Sequence, residues 1–98
     1  MIRVQLPFHL TTLASCDAEI ELEVAEPATA LTVIEALERK YPTLQGAVLE
    51  RETGRRRPKI RFFACKEDIS HDAMSAPLPT KIADGSEPFM IVGAISGG

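Results

Sequence analysis

Phe89-Met90-Ile91-Val92-Gly93-Ala94-Ile95 is an almost wholly apolar run near the end of this 98-residue chain. It is far too short to cross a bilayer, which takes about 20 apolar residues in a helix. The turn-forming stretch Ala83-Asp84-Gly85-Ser86-Glu87-Pro88 precedes it, so the run reads as a β-strand. A strand apolar on both faces belongs in the middle of a sheet covered by a helix. The last strand of the chain is therefore expected to be an inner one, and earlier segments must supply its neighbours and its cover.

Working back toward the N-terminus, Ile2, Val4, Leu6 and Phe8 alternate with Arg3, Gln5 and Pro7, the pattern of a strand with one buried face, which Pro7 ends or places at an edge. After a polar connection around Ser15-Cys16-Asp17, Glu19-Ile20-Glu21-Leu22-Glu23-Val24 alternates strictly, with carboxylates out and aliphatics in. These two strands are predicted to pair as an antiparallel hairpin with a loop longer than a tight turn. The period then lengthens to that of a helix. Thr32-Val33-Ile34-Glu35 fits a capping box at or just after a helix start, Val33, Ile34, Leu37 and Tyr41 share one face, and Pro42 ends the run. A second helical stretch is expected over residues 44–50, with Leu44, Val48 and Leu49 inward. Thr53-Gly54-Arg55-Arg56-Arg57-Pro58 reads as a loop and Ile60-Arg61-Phe62-Phe63-Ala64-Cys65 as the third strand. Residues 66–81 are expected to be the least regular internal segment, because Pro77 and Pro79 remove backbone donors while Asp68, Ser70, Asp72 and Ser75 favour local turns. A hairpin, a crossing helix and a final central strand make an α+β arrangement: the β-grasp, or ubiquitin-like, fold, with a mixed sheet packed against one main helix.

Length and composition narrow the function classes. With 45% apolar content the chain fills one hydrophobic core, so residues 1–95 are expected to form a single domain followed by a flexible tail over residues 96–98. The start, Met1-Ile2-Arg3-Val4, lacks the layout of a signal peptide, which points to a cytoplasmic protein with no membrane partner. Cys16 and Cys65 are far apart and without metal-ligand spacing, as expected of reduced thiols. A net charge of −3 argues against nucleic-acid binding. The charge is uneven: residues 1–50 carry −5 and residues 51–98 carry +2.

The chain ends Ser96-Gly97-Gly98. Glycine has no Cβ, so a Gly-Gly end threads a narrow channel and presents its carboxylate to another protein's active site, where any side chain would obstruct passage.

The order of elements, the helix running into Tyr41-Pro42, the Asp84-Gly85-x-Glu87 turn and the closing Ser96-Gly97-Gly98 resemble the MoaD/ThiS family of sulfur-carrier proteins over nearly the whole chain. The long middle, with its basic loop, Ile60 to Ile69 and Ile82-Ala83-Asp84-Gly85, is more similar to the longer carriers, including the type that feeds cysteine synthesis and the molybdopterin-synthase small subunits, than to the shortest ThiS proteins. The sequence departs from the pattern at Cys65, where Asn is frequent, at Ser86, where Asp is expected, and at Val92-Gly93, where prolines are common.

The resemblance implies a protein cosubstrate with no catalytic constellation of its own. An E1-like adenylyltransferase uses ATP to convert the Gly98 carboxylate to an acyl-adenylate, and a persulfide or sulfide donor replaces AMP to leave a thiocarboxylate. A sulfur-acceptor synthase in molybdopterin, cysteine, thiamine or a related pathway then takes the sulfur. Gly97 and Ser96 thread the partner's channel, and no cofactor is bound permanently. Two other classes stay open: a ubiquitin-like modifier joined through Gly98 to lysines, and a β-grasp interaction module whose tail is incidental.

Other local signals are weaker. Asp68, His71 and Asp72 are irregularly spaced in a polar loop and read as a solvated turn, so no metal site is expected. Cys65 ends an apolar strand and reads as a small core residue before a persulfide relay. No cation near Cys16 in sequence lowers its pKa, and no nucleophile elbow surrounds Ser96. Arg55-Arg56-Arg57, with Lys59 and Arg61, is a candidate contact for an acidic partner, weighed against a solvated loop. Phe62 and Phe63 point to opposite faces of one strand, so at least one is expected to be exposed in an apolar patch that the adenylating enzyme grips beside the tail.

Overall fold

The computed structural model describes residues 1–93. Five strands form one mixed sheet: β1 Ile2–Gln5, β2 Glu19–Leu22, β3 Ile60–Ala64, β4 Glu67–Asp68 and β5 Phe89–Gly93, in the spatial order β2-β1-β5-β3-β4. The apolar last strand is the middle one, as its composition requires. It runs parallel to β1, with Val4 opposite Phe89, and antiparallel to β3, with Ile60 opposite Gly93 and Phe62 opposite Ile91. The β1–β2 hairpin is antiparallel, with Ile2 opposite Leu22 and Val4 opposite Ile20. The registers put Ile2, Val4, Ile20, Leu22, Ile60, Phe62, Ala64, Phe89 and Ile91 on one face, all buried. Residues 94 and 95, the expected end of the last strand, lie outside the described residues.

The main helix, α2 at Ala30–Lys40, packs Val33, Ile34 and Leu37 into that face with no exposed surface. Its capping box sits three residues earlier than the sequence suggests. Thr29 is the N-cap: its Oγ1 accepts from Thr32 N at 3.1 Å, and Thr32 Oγ1 accepts from Thr29 N at 2.9 Å. Both threonines suit the role, and burial of Ala30 and Val33 decides between them by placing the first turn on the core.

Two further elements differ from the expectation. The β1–β2 connection holds a helix, α1 at Phe8–Ala14, so Phe8 belongs to a helix and not to the first strand. Pro7 starts it with its carbonyl accepting from Leu10 N and Thr11 N at 3.0 and 3.1 Å, and Ser15 closes it in the left-handed region at φ 53°. The expected helix over residues 44–50 is instead a short 3-10 turn, Pro42–Leu44, followed by non-helical turns. Leu44, Val48 and Leu49 are nonetheless buried as expected, since turns bury apolar side chains as well as a helix does when their carbonyls find donors. Residues 66–81 contain the two-residue β4 and the start of a four-residue helix, α3 at Thr80–Ala83, and no continuous helix. This segment lies across the start of α2, with Leu31 N donating to Met74 O and Leu78 N to Ala28 O.

The turn before β5 is tied to β1. Arg3 donates from Nε to Gly85 O at 2.9 Å and from NH2 to Ser86 O at 3.0 Å. Asp84 accepts from Ser86 N at 2.7 Å, and the bonds from the Ser86 side chain and then its backbone hold the Asp84 carboxyl below the ordinary aspartate value. Gly85 is required twice: its φ is +84°, and a Cβ there would stand 2.8 Å from Met1 O. Arg3 also faces Glu19 at 3.5 Å, an exposed pair that adds little. Arg3→Ala should lower stability by about 1–2 kcal/mol in urea denaturation, because two charge-assisted bonds to the turn are lost. Arg3→Lys should recover only part of this, since an ammonium cannot span both carbonyls. Full recovery by lysine would contradict the two-carbonyl role of Arg3.

Candidate functional site

The expected reactive residue Gly98, with Gly97 and Ser96, lies outside the described residues. What the structure supplies is the place from which that end departs. Gly93, the last described residue of β5, is flanked on one side by the residues that follow β1 and on the other by Ile60 at the start of β3. Gly93 meets Pro7 and His9. Between those two, Phe8 has 84% of its surface exposed, the largest exposed apolar side chain at this end of the sheet. Sequence reasoning missed Phe8 by assigning it to a strand; the signal was Pro7, which suits the start of a helix better than the interior of a strand.

Phe62 and Phe63 separate as strand geometry demands. Phe62 is buried at 1% exposure with its ring 5.3 Å from that of Phe89, so it is a core residue and not a surface contact. Phe63 is half-buried on the outer face, opposite Met90, while Val92 stands opposite Arg61. Met90, Phe63 and Val92 thus form a modest apolar strip on the outer face, running toward the end of β5. Gln5 and Glu19 extend the Met90 row on one side and Asp68 extends it on the other.

The basic run divides into different roles. Arg56 is half-buried and donates to Ser70 O and Arg57 O, each at 3.2 Å, and to Ile60 O, binding the loop to the start of β3 and to the segment after β4. Arg57 donates to Gly46 O. These two guanidinium groups are occupied in binding backbone carbonyls of neighbouring segments. Arg55 is exposed, its backbone joined to Thr53 and Glu50. The sheet also separates charge: Glu19, Glu21 and Glu23 follow the β2 edge, whereas Arg55–Arg57, Lys59 and Arg61 gather beyond β5 on the β3 side.

Neither thiol sits where the tail begins. Cys65 follows β3 at the end opposite Gly93, roughly 16 Å away by strand rise. Partial burial first, and then the neighbouring Glu87 carboxylate, push its pKa up, so it is held as a thiol. Cys16 lies beyond α1 and its pKa is likewise raised, by burial and then by Asp17, against a weaker opposing bond from Tyr41. Asp68 accepts from Ser70 N at 2.9 Å and faces Arg61 at 3.5 Å, and the Ser70 bonds hold its carboxyl below the ordinary value. His71 also lies 3.4 Å from Arg61. Among the described residues no group of three or more His, Cys, Asp or Glu side chains is placed to hold a metal, and no helix is long and apolar enough to cross a membrane.

No protein-family model matches the sequence, and no curated protein matches it. Solved structures match by shape. SAMP1 from Haloferax volcanii superposes with a TM-score of 0.75 at 20% identity, covering 98% of this chain and 97% of that one. A chain of the Amycolatopsis orientalis BexX/CysO complex superposes with a TM-score of 0.77 at 19% identity, covering 100% of both. The shared property is the fold, a β-grasp of the ubiquitin-like type.

The division among the arginines is testable by stability alone. Arg56→Ala should cost about 2 kcal/mol, since it removes the charged donor shared by the Ser70, Arg57 and Ile60 carbonyls. Arg55→Ala should stay within about 0.5 kcal/mol of the unmodified protein. Equal losses in the two variants would show that the run acts as an undifferentiated charged loop.

Proposed function

We propose that this chain is a sulfur carrier whose reactive group is the α-carboxylate of Gly98. One observation carries the reading. The strand that leads toward Ser96-Gly97-Gly98 is an inner strand of the sheet, paired with β1 on one side and β3 on the other as far as Gly93, the last described residue. The β-grasp body thus anchors the strand that leads to the Gly97-Gly98 end, and that end supplies the reacting atoms.

In the proposed reaction a carboxylate oxygen of Gly98 attacks the α-phosphorus of ATP in a separate E1-like adenylyltransferase, releasing pyrophosphate. Sulfide then displaces AMP at the carbonyl carbon and leaves the thiocarboxylate. With a persulfide donor the first product is an acyl disulfide, which a thiol reduces to the same thiocarboxylate. A sulfur-acceptor synthase consumes that sulfur. The outer strip of Met90, Phe63 and Val92 and the exposed Phe8 flank the strand end and are the surfaces we assign to partner recognition. Arg55, an exposed member of the basic run, is the remaining candidate for an acidic partner surface. That a chain of this fold occurs in the BexX/CysO complex supports a partnered mode of action.

Incubation with an E1-like enzyme, ATP and sulfide should raise the protein mass by the replacement of one oxygen with sulfur, located by fragmentation at Gly98. A chain extended by one residue, and Gly97→Ala, should both fold normally yet lose activation by about 100-fold or more, because the carboxylate is displaced from the α-phosphate or the tail is blocked. Undiminished activation of the extended chain, without trimming, would reject the carrier reading in favour of an interaction module.

A further inference from the structure

We infer that the solvent-facing side of α1 is an uncharged docking face, anchored by Phe8, that seats in an apolar, uncharged pocket of the enzyme that activates the Gly98 carboxylate. The inference rests on the carrier reading above and adds to it the chemistry of the surface the enzyme must offer. Although 26% of the chain is charged, none of its 11 Lys and Arg or 14 Asp and Glu residues falls between Val4 and Cys16. α1 lies inside that interval. At about 100° per residue, Leu10 and Ala14 take the core side, while Phe8, Thr12, His9 and Leu13 follow one another around an outer arc of about 140°. All four are exposed, Phe8 at 84% and Leu13 at 48%. A surface helix ordinarily turns a charged side to water. This one turns two large apolar side chains outward with no charged residue on the helix beside them. An exposed aromatic in a charge-depleted setting is the composition of an interface core.

The anchor is held ready by the build of α1. Pro7 O accepts from Leu10 N and Thr11 N, Thr11 Oγ1 donates to Phe8 O at 2.6 Å, and Cys16 N donates to Thr11 O at 3.1 Å. The backbone that carries Phe8 is therefore fixed at both ends of the helix, and little ordering cost is left to binding. The size of the face selects its occupant. Phe8 and the exposed part of Leu13 offer on the order of 200–300 Å², far below the roughly 800 Å² per partner of a stable interface. Two copies meeting here would not hold, and each brings a net charge of −3. The face suits a concave pocket on a partner that makes further contacts elsewhere on the chain. α1 also borders the strand that leads to the reactive end, since Pro7 and His9 are the neighbours of Gly93. Gly98 is five residues further on, at most about 18 Å in any conformation. An enzyme that holds the Gly98 carboxylate thus has its own surface within reach of α1.

The test titrates the full chain calorimetrically into the E1-like adenylyltransferase of the same organism, without ATP, so that binding is read apart from chemistry. Phe8→Ala should raise Kd about 30-fold and Leu13→Ala about fivefold, while Phe8→Leu, which keeps an apolar anchor, should stay within about threefold of the unmodified chain. Melting temperatures of all three should stay within about 2 °C of the original, as expected for exposed sites. Salt supplies the second readout. The ratio of the Phe8→Ala Kd to the original should be the same at about 0.05 M and about 0.5 M NaCl, because screening acts only on charges. A Phe8→Ala Kd within about twofold of the original, a ratio that collapses as salt rises, or no binding of the unmodified chain overturns the inference. So does a dimer of the unmodified chain that Phe8→Ala dissolves, which would assign the face to a second copy. ATP–pyrophosphate exchange on the same samples judges the carrier reading separately. Binding that Phe8→Ala weakens, with no exchange, keeps the docking face and rejects the carrier; exchange with binding that Phe8→Ala leaves unchanged does the reverse.

Discussion

Everything in this molecule depends on the last strand of the chain being the middle strand of its sheet. β5 takes hydrogen bonds from β1 on one side and β3 on the other, and its inward side chains, Phe89 and Ile91, meet the core beneath α2. The Phe89 ring lies against Phe62, so β3 and β5 are joined through an aromatic contact as well as their ladder. Neither β1–β2 nor β3–β4 can bury its apolar face without β5 between them. A chain built this way cannot release β5 without losing its core.

The surrounding structure works to keep that strand in place. Arg3 reaches from β1 to the two carbonyls of the Gly85-Ser86 turn, which sets the point where β5 begins. The Asp84-Gly85 turn that suggested a family resemblance thus has a physical duty, with Gly85 lying too close to the Met1 carbonyl for any other residue. At the far end, Pro7 and His9 border Gly93. On the β3 side, Arg56 gathers the carbonyls of Arg57, Ile60 and Ser70, so the strand that pairs with β5 starts from a fixed position too. Entry, exit and partner strand are each fastened by side chains far apart in sequence.

That distance in sequence explains what could be read beforehand and what could not. The strands were legible because alternation is local: Glu19-Ile20-Glu21-Leu22 needs only its own residues to declare a buried face, and Phe89 to Gly93 declares two. The central place of β5 followed from the same composition. α1 was not legible, because Phe8–Ala14 buries a single residue, Leu10, and includes the β-branched pair Thr11-Thr12, leaving no helical period to detect. The α2 cap was misplaced by one turn because Thr29 and Thr32 are equally good caps, and burial of Ala30 and Val33 made the choice. Arg55-Arg56-Arg57 looked uniform in sequence, whereas Arg56 is distinguished by an acceptor fourteen residues away, at Ser70. His9 and Gly93 meet from opposite ends of the sequence, so their contact leaves no mark on either local stretch. The chemistry of the Ser96-Gly97-Gly98 end was legible only as composition, since what it does depends on a second protein.

The account's central claim is that the Gly98 carboxylate passes through an acyl-adenylate. The most direct measurement labels both oxygens of that carboxylate with oxygen-18, supplies ATP, sulfide and an E1-like enzyme, and determines the isotope content of the AMP released. An acyl-adenylate attacked by sulfide at carbon leaves one carboxylate oxygen on the phosphate, so the account predicts AMP carrying one heavy oxygen for each thiocarboxylate formed. Thiocarboxylate accompanied by unlabelled AMP, or AMP release with no sulfur at Gly98, would contradict it.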